Sequence, residues 1–294
     1  MTEKILRPNA LGLSCVENYT LSILEKHLSD ISCLFCTSYL RGDFLLGEII
    51  EKGISMKNFA LLTRVHEVAF EDLSLIYLSS YDKVDIANIW GKMKEEKDRT
   101  YYLIKVNPSF VSKALNAKLE RDDHYICYWF SDGKNNVYND YPYRITNFSD
   151  DEILSAYNGN VITFKMVKDV NESTWTKAKH LFNTHFNKMT SLESIEPIIN
   201  ISIAQAKEFL AIYKRILHRT LLYCSAFTID SNVISQNLHA VDNLLTKIKV
   251  NELRSKDTVF TKDIKDILLK DQMIYGIVQQ VAKECDLTYA QIIE

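Results

Sequence analysis

Glycine and proline are scarce, with 8 Gly and 4 Pro in 294 residues. So few breakers predict long helices and few glycine turns. The shortage also excludes chemistry. Neither the GxGxxG dinucleotide fingerprint nor the GxxxxGK[ST] phosphate loop occurs in the sequence, so two backbone cradles for nucleotide phosphates are missing. An excess of positive charge is missing too. The 35 Lys and Arg stand against 38 Asp and Glu, a net charge of -3, which leaves no electrostatic footprint for nucleic acid. No run approaches the roughly 18 apolar residues of a membrane span. The opening MTEKILRPNALGLSC lacks the apolar core of a signal peptide. These absences predict a cytoplasmic protein with no membrane or nucleic-acid partner and no cofactor.

What is present is ordinary for a globular chain: 47% hydrophobic and 25% charged residues, in a length that allows one large domain or two modest ones. The six cysteines stand at 15, 33, 36, 127, 224 and 285. In a reducing compartment they read as thiols. Cys33 and Cys36 form a CxxC, but no second CxxC or nearby His pair completes a zinc set. His180 and His185 are five residues apart, about 140° around a helix, so they share no metal-binding face and read as structural or surface residues.

The chain divides by pattern. SCVENYTLSILEKHL reads as a helix with Ser14 as N-cap, Glu17 three residues on, and Val16, Tyr19, Ile23 and Leu24 on one face. ISCLFCTSYLRGDFLLGEII is apolar without clear alternation and reads as either strand or buried helix. Residues 84–96 and 108–119 look like short helices flanking the β-type run YYLIKVN. HYICYWF is a strand, SDGKNN turn material, and VYNDYPYRITNF a further β-like run. FSDDEILSAYNG is a short helix capped by Ser149 and Glu152, and VITFKMV a last strand. From about 172 onward the apolar spacing is helical. The expected organisation is an α+β unit over 1–168 and a helical unit over 169–294, with a soft boundary near 169–200.

One cysteine is placed for chemistry. Cys15 opens a helix, where unpaired N–H groups and the macrodipole favour a thiolate. A cysteine nucleophile needs a base and a group to orient it. His124 opens the strand HYICYWF, and Asp140, with Asn139 beside it, closes the next β-run. Two adjacent antiparallel strands can bring such residues side by side, and either Asn or Asp would fix the imidazole tautomer. Asp140 would also stabilise the imidazolium.

The stretch 124–164, with its strand-opening His, turn-forming Asp140-Tyr141-Pro142, short acidic helix and final strand, resembles the closing half of papain-like peptidases of the bacteriocin-processing type. The opening SCVENYTLSIL is similar to their cysteine helix. Within that superfold the chain looks most like the N-terminal domain of the butirosin biosynthesis protein H family. The resemblance implies a papain-like catalytic domain and a Cys15–His124–Asp140 triad, with Asn139 as the alternative orienting residue. It also implies an oxyanion amide at Asn9, six residues before the cysteine. The implied reaction is amide formation in antibiotic or other secondary-metabolite biosynthesis. An acyl group passes from the phosphopantetheine thioester of a carrier protein to Cys15, then to a small amine. The helical unit would then build the acceptor site or dock the carrier. Two alternatives share the fold: a cytoplasmic peptidase or thioesterase with the same triad, and an inactive papain-like binding protein.

Overall fold

The computed structural model describes residues 15–27, 30–55, 69, 72–95, 100–107, 109–110, 112, 124–139, 144–166, 170–191, 201–253 and 260–293. In chain order the elements are α1 (Cys15–His27), a 3-10 turn (Ser32–Phe35), α2 (Gly42–Lys52), β1 (Ile76–Asp82), α3 (Ile86–Glu95), β2 (Thr100–Val106), β3 (His124–Ser131), β4 (Lys134–Asn139), β5 (Arg144–Asn147), α4 (Asp150–Ala156), β6 (Tyr157–Met166), α5 (Glu172–Thr190), α6 (Ile203–Cys224), α7 (Asn232–Leu253) and α8 (Thr261–Ile293). The class is α+β, as expected: one antiparallel sheet followed by C-terminal helices. Among the described residues no helix is long and apolar enough to cross a membrane.

The described residues form two compact units. The first holds α1 and everything from β1 to β6; the second holds the 3-10 turn, α2 and α5 to α8. The chain therefore leaves the first unit after α1 and returns to it before β1, so 1–168 is not one contiguous unit. The sheet ends at Met166 and α5 starts at Glu172.

In the first unit the six strands run in the order β1-β6-β2-β3-β4-β5, and every neighbouring pair is antiparallel. Local chemistry sets the β3–β4 hairpin. Ser131 pairs with Lys134, which leaves Asp132 and Gly133 as the two turn residues, at φ 52° and 71°. Two consecutive left-handed residues make the tight turn that matches strand twist, and Asp-Gly is a preferred pair for it. Asn135 and Asn136 thus belong to β4 and not to the turn. The run VYNDYPYRITNF contributes to two strands, β4 and β5.

The sheet register sorts its two faces. Tyr102, Ile104, Val106, Ile126, Tyr128, Val137 and Val161 form one core face, covered by Ile86, Trp90 and Met93 of α3 and by Ile153 and Ala156 of α4. The opposite face carries Leu103, Cys127, Tyr138 and Phe164, all buried. Helix α1 lies on this second face, where the rings of Tyr19 and Tyr138 meet edge to face at 5.7 Å. Asn135 locks the α4 corner. Its amide accepts from Tyr128 Oη at 3.1 Å and donates to Phe148 O at 3.1 Å and Asp150 Oδ1 at 2.7 Å. Ser149 and Glu152 form the expected capping box.

In the second unit α5 and α6 also begin with capping boxes, Asn171 with Thr174 and Ser202 with Gln205. Their inward aromatics pack together: Phe182 stacks on Phe186 at 6.2 Å and meets Tyr223, tilted, at 4.8 Å. His185 is buried, with Nε2–H donating to Tyr39 O at 2.6 Å, whereas His180 is exposed. The segment left open between strand and helix resolves into the 3-10 turn and α2. The N-terminus of α2 is held from far along the chain. Asp271 on α8 accepts from Gly42 N at 2.7 Å and from Tyr213 Oη at 2.6 Å. A Cβ on Gly42 would stand 3.0 Å from Leu268 Cδ2 and 3.3 Å from the Asp271 carboxyl, so glycine permits this close approach.

Candidate functional site

Cys15 is the first residue of α1, a 13-residue helix with Glu17 in its opening turn. Its backbone therefore sits where helix N–H groups lack intrahelical acceptors and the macrodipole is positive. One turn on, Tyr19 anchors the helix to the sheet. Its hydroxyl donates to Tyr125 O at 2.6 Å, and its ring, wholly buried, packs on Tyr138. Tyr125 follows His124 directly in β3, so the helix carrying Cys15 is tied to the strand end carrying the histidine.

The Tyr125 side chain extends this arrangement across the sheet. Its hydroxyl donates to Asn160 Oδ1 at 2.8 Å, and Asn160 Nδ2 donates to Ser80 Oγ at 2.9 Å and to Asp82. These four residues line up across β3, β6 and β1 on the α1 side of the sheet. Asn160, Ser80 and Asp82 carry no signal of this role in the sequence, because nothing local marks Asn160 as the partner of a tyrosine 35 residues away.

His124 opens β3, pairs with Val106 and is only 8% exposed. Strand alternation puts it on the face of Ile126 and Tyr128, the face that α3 and α4 cover. Tyr19 meets the other face. Asn139 ends β4 and pairs with Arg144. The side chain of Asn139 lies outside the described residues. Asp140, Asn9 and Ser14 lie outside the described residues.

The other cysteines are poor nucleophiles. Cys33, Cys36, Cys127, Cys224 and Cys285 are all buried free thiols. Burial pushes Cys33 and Cys224 up to about 12, and Cys285 up to about 11. A thiol so far above neutrality is almost wholly protonated, and the thiolate is the reactive form. Among the described residues no group of three or more His, Cys, Asp or Glu is placed to hold a metal ion.

The described site residues that the sequence did not single out include Asn18, three positions after Cys15. It is fully buried, and neither amide atom has a hydrogen-bond partner among the described residues. A polar residue in the middle of an amphipathic helix carries no signal of this kind in sequence.

Compared with family models, curated proteins and solved structures, the chain gives no match.

Proposed function

We propose that the first unit is a cysteine-dependent acyl-transfer domain of papain-like type, with Cys15 as nucleophile and His124 as base. The observation that carries this reading is the anchoring of α1. The helix that presents Cys15 at its first turn is bonded through Tyr19 to the residue beside His124. The burial of the five other cysteines supports the choice of nucleophile. Asp140 is the proposed orienting residue for His124, with Asn139 as the alternative.

In this reading the Cys15 thiolate attacks the carbonyl of an acyl thioester, the C–S bond to the carrier's phosphopantetheine breaks, and the departing thiolate takes the proton held by His124. An amine then attacks the acyl-Cys15 carbonyl and gives up a proton to His124. Cys15 is released as the amide forms. The reaction resembles that of the butirosin-type enzymes of antibiotic assembly. Attack by water in place of the amine would make the same site a thioesterase or peptidase.

A second reading has its own observation. His124 shares a face with Ile126 and Tyr128 while α1 covers the opposite one, which favours a papain-like binding protein without a working triad. The test is intact-mass spectrometry after incubation with an acyl-loaded carrier protein. Transfer chemistry adds the acyl mass to the wild type but not to Cys15→Ala, and an added amine converts the adduct to amide. A folded His124→Ala protein loses turnover. Release of mainly free acid assigns hydrolysis. No adduct on any cysteine assigns the binding protein.

A further inference from the structure

Strand β1 lies at one edge of the six-stranded sheet. Among the described residues β6 is the one strand it pairs with, in a register without a bulge. Sheet edges are commonly blunted by shortness, lysine, proline or a bulge, because their open N–H and C=O groups are a template for a further strand. The opposite edge strand, β5, has four residues and begins with Arg144. By contrast β1, IYLSSYD, runs for seven residues without lysine or proline, and its one charge is the terminal Asp82. Alternation puts Tyr77, Ser79 and Tyr81 on one face. The two tyrosines are 62% and 45% exposed, and they are the exposed large hydrophobic residues among the described residues of the first unit.

The ladder fixes which backbone groups face outward. Lys83 N donates to Gly159 O at 2.6 Å, one step beyond the Asp82–Asn160 pair. Hydrogen-bonded pairs alternate along an antiparallel ladder. Residues 77, 79 and 81 therefore turn their N–H and C=O groups to β6, and residues 76, 78, 80 and 82 turn theirs to the open edge. The strand is also symmetric about Ser79, with a tyrosine two positions to either side. A second β1, laid antiparallel with Ser79 opposite Ser79, sets 78 against 80 and 76 against 82. Every outward main-chain group of the strand then has a partner. Tyr77 meets Tyr81 of the second copy at a non-hydrogen-bonded position, where side chains are closest. Charge favours the same pairing. The two Asp82 carboxylates end about 20 Å apart at roughly 3.4 Å per residue, beyond the screening length of ~10 Å at 0.1 M salt. Parallel pairing would set them side by side. We propose that β1 is a homotypic docking edge, through which two copies of this chain join their sheets about a two-fold axis at Ser79. The proposal is independent of the acyl-transfer reading.

Sedimentation velocity of the full chain, from micromolar to near-millimolar protein, is expected to show a dimer growing in with concentration. Ser79→Lys and Ser79→Glu each set like charges face to face on the axis, and each alone is expected to be monomeric. Their equimolar mixture is expected to form a heterodimer, because the facing charges are then opposite. Far-UV circular dichroism and a melt of each variant report that the monomer is folded. Introduced thiols read the register. Cα atoms of a non-hydrogen-bonded pair are about 4.5 Å apart, within disulfide reach. With glutathione disulfide as oxidant, itself reduced to two thiols, Ser79→Cys is expected to bridge two copies through the introduced thiols, identified by peptide mapping. Tyr77→Cys and Tyr81→Cys are expected to bridge when mixed, and neither with itself. A wild type that stays monomeric throughout leaves the edge to another strand and overturns the proposal. So does a folded Ser79→Lys protein that dimerises as the wild type does, or a Lys–Glu mixture that stays monomeric. Bridging of Tyr77→Cys with itself in preference to Tyr81→Cys overturns the antiparallel register and with it the two-fold axis at Ser79.

Discussion

Asp271 offers the sharpest test of how the helical unit is held together. It is buried on α8, where it accepts from the first backbone N–H of α2 and from the Tyr213 hydroxyl. Asn237 Nδ2 in turn donates to Tyr213 Oη at 3.0 Å. Burial pushes the Asp271 carboxyl up from 3.8 to about 6, against the downward pull of the Tyr213 and Gly42 hydrogen bonds. An acid whose pKa is higher folded than unfolded binds its proton more tightly in the fold. Its stabilising share is complete below the unfolded value near 3.8 and is lost as pH rises through the folded value near 6. A shift of that size corresponds to on the order of 3 kcal/mol.

Asp271→Asn keeps the shape and removes the titration. The stability of the variant relative to the wild type should therefore rise by on the order of 3 kcal/mol between pH 4 and pH 7. Urea unfolding followed by far-UV circular dichroism at each pH measures it. The difference between the two proteins is the quantity to read, because His185 moves the other way in both. Burial holds its pKa below 6.5, so protonation as pH falls through that range destabilises the fold. Asp271→Ala separates the carboxyl's acceptor role from its charge. It strands the Gly42 N–H and the Tyr213 O–H, at about 1–3 kcal/mol each, and should fall below the Asn variant at every pH. Parallel pH profiles for the wild type and Asp271→Asn would refute the account.

The remaining predictions concern the first unit and the thiols. Native alkylation near pH 7, mapped by peptide mass spectrometry, is expected to mark Cys15 ahead of the five buried cysteines, and Cys15→Ala should remove that first adduct. Asn135→Ala removes three side-chain hydrogen bonds at the α4 corner and should cost about 2–3 kcal/mol in thermal or chemical melts. Asn136→Ala, whose amide reaches Ser131 Oγ and Lys134 O, should cost under about 1 kcal/mol.

What the sequence made legible was whatever short-range chemistry decides. The helix after Ser14, the strand from His124 and the Ser149–Glu152 capping box are each fixed by residues within a few positions, and each element forms as expected. SDGKNN misled because Asn favours turns locally. In the fold Asn135 is instead claimed by partners at 128, 148 and 150. The segment around Gly42 was ambiguous because it is apolar on most sides and is capped by Asp271, 229 residues away. The candidate site divides the same way. That Cys15, His124 and Asn139 follow one another on a helix and successive strands was visible in their order. Which face His124 occupies was not, because a period-two strand has the same pattern whichever face is turned to the helix, and only the pairing with β2 decides it.

That face is also where acyl transfer and a non-catalytic binding role diverge, and a substrate-free experiment separates them. A disulfide forms only when two Cα atoms stand within about 7 Å with their Cβ atoms turned toward each other. A catalytic Cys–His pair requires nearly the same closeness, because thiol and imidazole must be within hydrogen-bond reach. In His124→Cys the new thiol takes the place of the base. Under mild oxidation the acyl-transfer reading predicts a bridge between Cys15 and the introduced thiol, found as one cross-linked peptide and reversed by dithiothreitol. Tyr19 supplies the reason to expect it, since its bond to Tyr125 O already fixes α1 to this strand end. A position turned wholly into the α3–α4 core, among Val106 and Ile126, leaves the new thiol buried and unreactive. Absence of the bridge in a folded His124→Cys protein, with Cys15 still open to alkylation, would refute the Cys15–His124 pair and leave the binding role standing.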